Sequence, residues 1–208
     1  MLKIYPMPLG AYQTNCYILS AGERALIVDP GDEAQKLITY LETKGLKPVA
    51  IFITHGHLDH IGALKEVQAK YEIPVYAHRD EKEYFTNSKY NFSASSRTPI
   101  EFGDLSVFNF IEEDGIIELL DQKIDIRHVP GHSSGSIALY FENNGIVIVG
   151  DALFKGSIGR TDLPNGNHKQ LIDNIETKLF TLPDSTVVYP GHGSATTIGD
   201  EKRMNPFF

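Results

Sequence analysis

Apolar residues fall along this chain in short runs broken by glycine, proline and charged residues. Asn15 to Ser20 and Arg24 to Asp29 are two such runs, separated by Ala21-Gly22-Glu23, and they predict a β-hairpin. Asp32 is placed to cap a helix that continues to Lys44 and stops at Gly45. Val49 to Thr54 is β-branched and too short for a helix, so a buried strand is expected. Leu64, Val67 and Tyr71 recur at helical spacing within Gly62 to Tyr71, and Pro74 to Ala77 predicts another strand. Tyr84 to Thr98 fits no period. It mixes polar residues with Tyr84, Phe85, Tyr90 and Phe92, and a loop with at most one helical turn is expected. Strands resume at Gly115 to Leu119, Lys123 to Val129, Ser136 to Phe141 and Ile146 to Val149. Asn167 then caps a predicted helix through Phe180, with Leu171, Ile172, Ile175 and Leu179 on one face, and Thr186 to Tyr189 is the last strand expected.

Strands and helices thus alternate in two halves. The pattern implies an α/β fold of two packed sheets with helices outside, a four-layer αβ/βα sandwich. No fixed-period repeat and no linker-like stretch interrupts the 208 residues, so residues 1–208 are read as one domain. A hydrophobic fraction of 41% is enough for such a core.

Charge and cysteine content narrow the function. A formal net charge of −8 opposes nucleic acid as a partner, because that binding rests on a surplus of Lys and Arg. Met1 to Gly10 carries one Lys and no long apolar stretch, so no secretory signal is read there, and no apolar run approaches a membrane span. The single cysteine, Cys16, rules out an internal disulfide and is expected to be a small core residue. The expectation is a soluble cytoplasmic protein with no nucleic-acid or membrane partner.

The chemistry concentrates in Thr54-His55-Gly56-His57-Leu58-Asp59-His60, directly after a predicted buried strand. Three imidazoles and a carboxylate lie within six residues, and borderline metals such as zinc take those donors. In an extended segment His55 and His57 face one way. Asp59 and His60 do not easily reach the same point and suit a second ion, about 3.5–4 Å from the first. Three later apolar runs each end in glycine followed by a ligand type: Val129-Pro130-Gly131-His132, Ile148-Val149-Gly150-Asp151 and Tyr189-Pro190-Gly191-His192. Glycine lets the backbone turn sharply at a strand end and aims the next side chain over the rim of the sheets. The other histidines read as structural: His78 as a surface or helix-capping residue, His128 as a packed or solvent-facing one, His168 as part of a helix start.

These motifs resemble the metallo-β-lactamase superfamily, with His55-Gly56-His57-Leu58-Asp59-His60 followed in the family's order by His132, Asp151 and His192. Gly150 to Pro164 and Tyr189 to Phe207 are most similar to the glyoxalase II-like, single-domain hydroxyacylglutathione hydrolases. The resemblance implies the metallo-β-lactamase fold and two divalent metal ions, zinc first, with iron and manganese as alternatives. It implies that His55, His57 and His132 hold one ion, that Asp59, His60 and His192 hold the other, and that Asp151 and a hydroxide bridge them. Asp59 and Asp151 are the catalytic carboxylates on this reading. Such a centre acidifies its water to a pKa of about 7 and hydrolyses a thioester through a metal-bound hydroxide. Asp151 stands where many true β-lactamases place a cysteine, which weighs against antibiotic hydrolysis. Arg160 matches a glutathione-contacting cation, although Asp162 replaces the aromatic expected two residues later, and the chain as given stops at Phe208, where two-domain glyoxalase II carries a further helical domain. Asp29, in Val28-Asp29-Pro30-Gly31, reads either as a partner that fixes a ligand imidazole or as a turn residue. The alternative function is a persulfide dioxygenase-like oxidoreductase with a single iron on His55, His132 and Asp151.

Overall fold

The computed structural model describes residues 2–208 and divides into two compact units, one ending at Ile111 and one running from Glu112 to Phe208. In the first unit, the predicted hairpin forms as β2 (Thr14–Ala21) and β3 (Arg24–Val28), paired antiparallel. A strand that the pattern did not announce precedes it, β1 (Lys3–Leu9), which pairs antiparallel with β2 from Lys3↔Ser20 to Leu9↔Thr14. Pro6 and Pro8 hide it from a propensity reading. They are tolerated because β1 is an edge strand and an edge needs only half of its ladder donors. Beyond β3 the sheet turns parallel through β4 (Lys47–Phe52), β5 (Val75–His78) and β6 (Phe108–Ile111), in the order β1-β2-β3-β4-β5-β6. β2, β3 and β4 are buried over consecutive residues, without alternation, as strands covered on both faces must be.

Helix α1 (Ala34–Thr43) buries Ala34, Leu37, Ile38 and Leu41, and Gly45 ends it with φ 63° as expected. The start differs from the expectation of an Asp32 cap. Glu33 holds the cap position in the left-handed conformation (φ 49°) with no side-chain cap bond, and the Asp32 carboxylate accepts instead from Glu33 N at 2.6 Å. The displacement has a tertiary cause. A Cβ at Gly31 would stand 1.8 Å from the carbonyl oxygen of Asp59, so close backbone approach dictates the path of this loop. α2 (Leu58–Ile61) and α3 (Leu64–Tyr71) follow β4, and α3 gives Leu64 and Val67 to the core with Leu37, Leu41 and Ile51. A 3₁₀ turn (Arg79–Glu81) and α4 (Lys82–Thr86) start the helical turn ahead of Tyr84. The remaining loop is held by buried Asn91, whose amide donates to the carbonyls of Tyr84 (2.7 Å) and Ile100 (2.8 Å).

In the second unit a mostly antiparallel sheet runs in the order β14-β13-β10-β9-β8-β7. β7 (Gly115–Leu119), β8 (Gln122–His128), β9 (Ile137–Phe141), β10 (Ile146–Gly150) and β13 (Val187–Pro190) sit within a residue or two of their predicted positions. A two-rung hairpin, β11 (Leu153–Phe154) with β12 (Ser157–Ile158), β14 (Thr196–Thr197) and a final helix α6 (Ile198–Met204) carry no sequence signal strong enough to predict. Asn167 caps α5 (His168–Asn174) by accepting from Gln170 N at 3.0 Å, and a π-helical turn (Ile175–Leu179) completes the predicted helix. Leu171, Ile175 and Leu179 join Val129, Val147, Val149 and Val188 in the core. No helix among the described residues is long and apolar enough to cross a membrane.

Candidate metal centre

In the first unit His55, His57, Asp59 and His60 leave the C-terminal end of β4 together. His57 is extended (φ −70°, ψ 152°) and caps the four-residue α2, which turns Asp59 and His60 back toward it. The His55 ring lies edge-on to His57 at 4.6 Å between centroids and 4.0 Å from His60. Glycines make this crowding possible. A Cβ at Gly56 would meet Cβ of Tyr84 at 2.5 Å, and one at Gly62 would meet the Gly31 carbonyl at 2.1 Å.

The buried carboxylate of Asp29 organises the cluster from beneath. Its Oδ1 accepts from Thr54 N (2.7 Å), and its Oδ2 accepts from Thr54 Oγ1 (2.6 Å) and from Nδ1 of His60 (2.9 Å). A carboxylate on Nδ1 assigns the proton to that nitrogen and leaves Nε2 with a lone pair, the tautomer that binds metals. That Nε2 faces Asp59 Oδ2 at 3.7 Å, and Thr14 Oγ1 donates to the same Oδ2 at 2.7 Å. Asp29 therefore both follows a strand, in the left-handed region (φ 51°), and orients an imidazole.

In the second unit His132, Asp151 and His192 follow β8, β10 and β13. Gly131 (φ 135°) and Gly150 (φ 51°) use conformations that side chains disfavour. At the third exit Gly191 N donates to the Gly150 carbonyl at 2.7 Å, joining two of the turns. His132 repeats the logic of His60: its Nδ1 donates to the main-chain carbonyl of Arg160 (2.8 Å), and its Nε2 faces Asp151 Oδ2 at 3.7 Å. The same Oδ2 lies 3.5 Å from Nε2 of His192, whose side chain is about a third exposed. These separations are too long for hydrogen bonds. They match two donors that share one tetrahedral ion, which at metal–ligand distances of about 2.0–2.1 Å stand about 3.4 Å apart. The donor set and its spacing in each unit therefore fit divalent metal.

The Arg160 side chain is exposed. Its Nε and Nη2 clasp Asp162 Oδ1 and Oδ2 at 2.8 and 2.9 Å on the surface, and this pairing holds the Asp162 carboxyl down at about 2. His78 is buried rather than on the surface and caps the following turn by accepting from Asp80 N (3.3 Å). Nε2 of His128 donates to the carbonyl of Ser134 (2.9 Å), and Cys16 is buried in the core. Sequence reasoning missed Thr14 and Glu81. Glu81 is fully buried and its Oε2 accepts from Gly56 N at 2.6 Å, fixing the turn between His55 and His57. Neither sits in a motif, and an acid near a helix start reads as surface.

The sequence profile of the metallo-beta-lactamase superfamily matches residues 9–192. The "Probable metallo-hydrolase YqgX" of Bacillus subtilis is 44% identical over 99% of this chain and 97% of its own length. The "Hydroxyacylglutathione hydrolase GloC" of Haemophilus influenzae is 36% identical over 99% of this chain and 98% of its own. Among solved structures, BLEG-1 B3 metallo-beta-lactamase superposes with a TM-score of 0.93 at 39% identity, covering 100% of this chain and 99% of that one. TTHA1623 in a di-iron-bound form gives a TM-score of 0.86 at 36% identity, covering 98% and 100%. The profile match, the full-length likeness to these relatives and the shared metallo-β-lactamase fold place the chain in the metallo-β-lactamase superfamily of metal-dependent hydrolases.

Proposed function

We propose that the chain is a dinuclear thioester hydrolase acting on a substrate such as a hydroxyacylglutathione. His55, His57 and His132 would hold one divalent ion, Asp59, His60 and His192 the other, and Asp151 both. The observation that carries the reading is Asp151 Oδ2, which stands at donor–donor spacing from two imidazoles assigned to different ions, 3.7 Å from His132 and 3.5 Å from His192. The full-length relative named for hydroxyacylglutathione hydrolysis supports the substrate class, and the di-iron-bound neighbour supports two ions on this fold. Imidazole and carboxylate donors suit zinc, and accept iron or manganese as well.

When bound, the two ions supply an activated water at neutral pH and polarise the acyl carbonyl. The protein's own work is orientation. Asp29 and the Arg160 carbonyl each hold the Nδ1 proton of one histidine, on His60 and His132, so that both rings keep Nε2 as the donor. Thr14 holds one oxygen of Asp59, which fixes its rotamer. The substrate is a small molecule, and the Arg160 guanidinium, exposed beside the site loop, is the cation available for an acidic thiol moiety once it exchanges Asp162 for a substrate carboxylate.

Fully metallated protein should release free thiol from S-D-lactoylglutathione, and a chelator should abolish the reaction. Arg160→Ala should raise KM for the glutathione thioester more than for an uncharged thioester with metal content intact, because only the main-chain carbonyl of Arg160 serves His132. Equal losses on both substrates would make the Arg160–Asp162 pair structural. Failure to cleave any acyl-glutathione or acyl-CoA thioester would overturn the proposal. Opening of a β-lactam under the same conditions would favour the reading suggested by the likeness to BLEG-1.

A further inference from the structure

The hairpin that follows Asp151 is too small to hold its own shape. It has two rungs, Leu153↔Ile158 and Phe154↔Ser157, and isolated two-stranded ribbons of even greater length are marginal in water. Yet it leads directly into the most constrained backbone of the second unit. At its foot Gly159 N donates to the Ala152 carbonyl at 3.2 Å, and a Cβ at Gly159 would stand 1.8 Å from the Asp151 carbonyl oxygen and 3.3 Å from Cβ of His132. One residue later the Arg160 carbonyl receives the Nδ1 proton of His132. A displacement of the hairpin by a few tenths of an ångström therefore reaches Asp151 and His132 together.

Among the described residues, every hydrogen bond that leaves the hairpin tip ends on α6 or the residue after it. Gly156 N donates to Glu201 Oε2 (2.8 Å), and the Ser157 carbonyl accepts from Asn205 Nδ2 (3.0 Å). The two anchors are tied to each other, since Asn205 Nδ2 also donates to Glu201 Oε2 (2.8 Å). Both are almost fully buried, with 3% of their surface exposed. The other oxygen of Glu201 accepts from Thr196 Oγ1 at 2.5 Å, which fastens the carboxylate to β14 without touching the hairpin. A buried charge without partners is costly, so a carboxylate placed here with three donors is a specific construction.

We infer that Glu201 and Asn205 are positioning residues for the metal centre: through the β11–β12 hairpin they set where the Arg160 carbonyl meets His132 and where Asp151 stands. The inference rests on the reading of His132 and Asp151 as metal ligands. It makes α6 and the residue after it part of the site's machinery although neither Glu201 nor Asn205 is a proposed ligand.

The test compares Glu201→Ala and Asn205→Ala with Thr196→Val. The first two loosen the hairpin, whereas the third removes a buried hydrogen bond from the same carboxylate but leaves both hairpin contacts. For each purified full-length variant, zinc affinity is measured by competition with a chromophoric chelator, the Co²⁺-substituted absorption spectrum is recorded, and the metal-free protein is melted. Loss of an outer partner of a metal ligand typically weakens affinity by about 10–100-fold. Glu201→Ala and Asn205→Ala should each show a loss of about tenfold or more and an altered Co²⁺ spectrum, while Thr196→Val keeps wild-type values for both even where its melting point drops as far. If zinc affinity instead follows the melting point across all three variants, Glu201 and Asn205 are merely structural and the inference fails. Should Glu201→Ala not fold, the comparison of Asn205→Ala with Thr196→Val decides it alone. Wild-type protein that binds no zinc would overturn the metal-site reading itself, a result distinct from normal wild-type binding with unaffected variants.

Discussion

Asp29 accepts three hydrogen bonds where water does not reach, and two of its donors, Thr54 N and Thr54 Oγ1, belong to the residue that begins the histidine motif. A buried donor left without its partner costs about 1–3 kcal/mol. Asp29→Ala strands three donors and places alanine at φ 51°, so metal-free protein should lose about 3 kcal/mol or more in urea denaturation. Asp29→Asn, which tolerates that backbone conformation and keeps one acceptor, should lose less. A loss below about 1 kcal/mol in the alanine variant would mean that water takes over the carboxylate's role. At this scale the sequence was most legible where donors adjoin, as in His55 to His60. It was least legible for Thr14, Glu81 and Glu201, whose bonds to Asp59, Gly56 and Gly156 bridge 45, 25 and 45 residues.

Elements were readable in proportion to their length and to the purity of their pattern. β2, β3, β4, β9 and β10 are apolar runs that stay buried along their length, and they stand where the runs predict them. β1 was hidden by its prolines, and β6, β11, β12 and β14 by having two to four residues each, too few to show a period. The cap of α5 was read correctly and that of α1 was not. Asn167 makes its bond within the first turn of its own helix, whereas the start of α1 is dictated by the approach of Gly31 to Asp59. Asn167→Ala should therefore cost about 1 kcal/mol, the ordinary worth of a side-chain cap, in equilibrium unfolding. Asn167 N also donates to the Gly131 carbonyl, at 2.8 Å. That bond belongs to the main chain and survives the substitution, so a loss well above 2 kcal/mol would show that the Asn167 side chain does more than cap.

For the molecule as a whole, family membership and net charge meet in the metal. A chain of net charge −8 gathers divalent cations readily, so the stoichiometry and the effect on stability must be read together. Protein purified without chelator should carry close to two ions. A persistent value near one, unchanged by added zinc, would overturn the dinuclear reading, and one iron with O₂ uptake would favour the dioxygenase. Asp151→Ala should lose both ions, because Asp151 alone is proposed to touch both. Stripping the metal should lower the melting point. A ligand at 100 times its dissociation constant adds about 2.7 kcal/mol, which for a chain of this size corresponds to about 5–10 °C.

The sequence by itself determined which donor types are present, their order along the chain and the glycines that let them leave their strands, because those features are written in neighbouring residues. From them the family, the α/β class and the hydrolytic chemistry follow. The tertiary structure alone decided how each donor is held. Asp29 reaches His60 across 31 residues, the Arg160 carbonyl reaches His132 across 28, and Glu201 steadies Gly156 across 45. Periodicity reports only what a residue does within its own turn or strand. The tautomer of a histidine is set by whichever group the fold brings against its other nitrogen, and no local pattern carries that information.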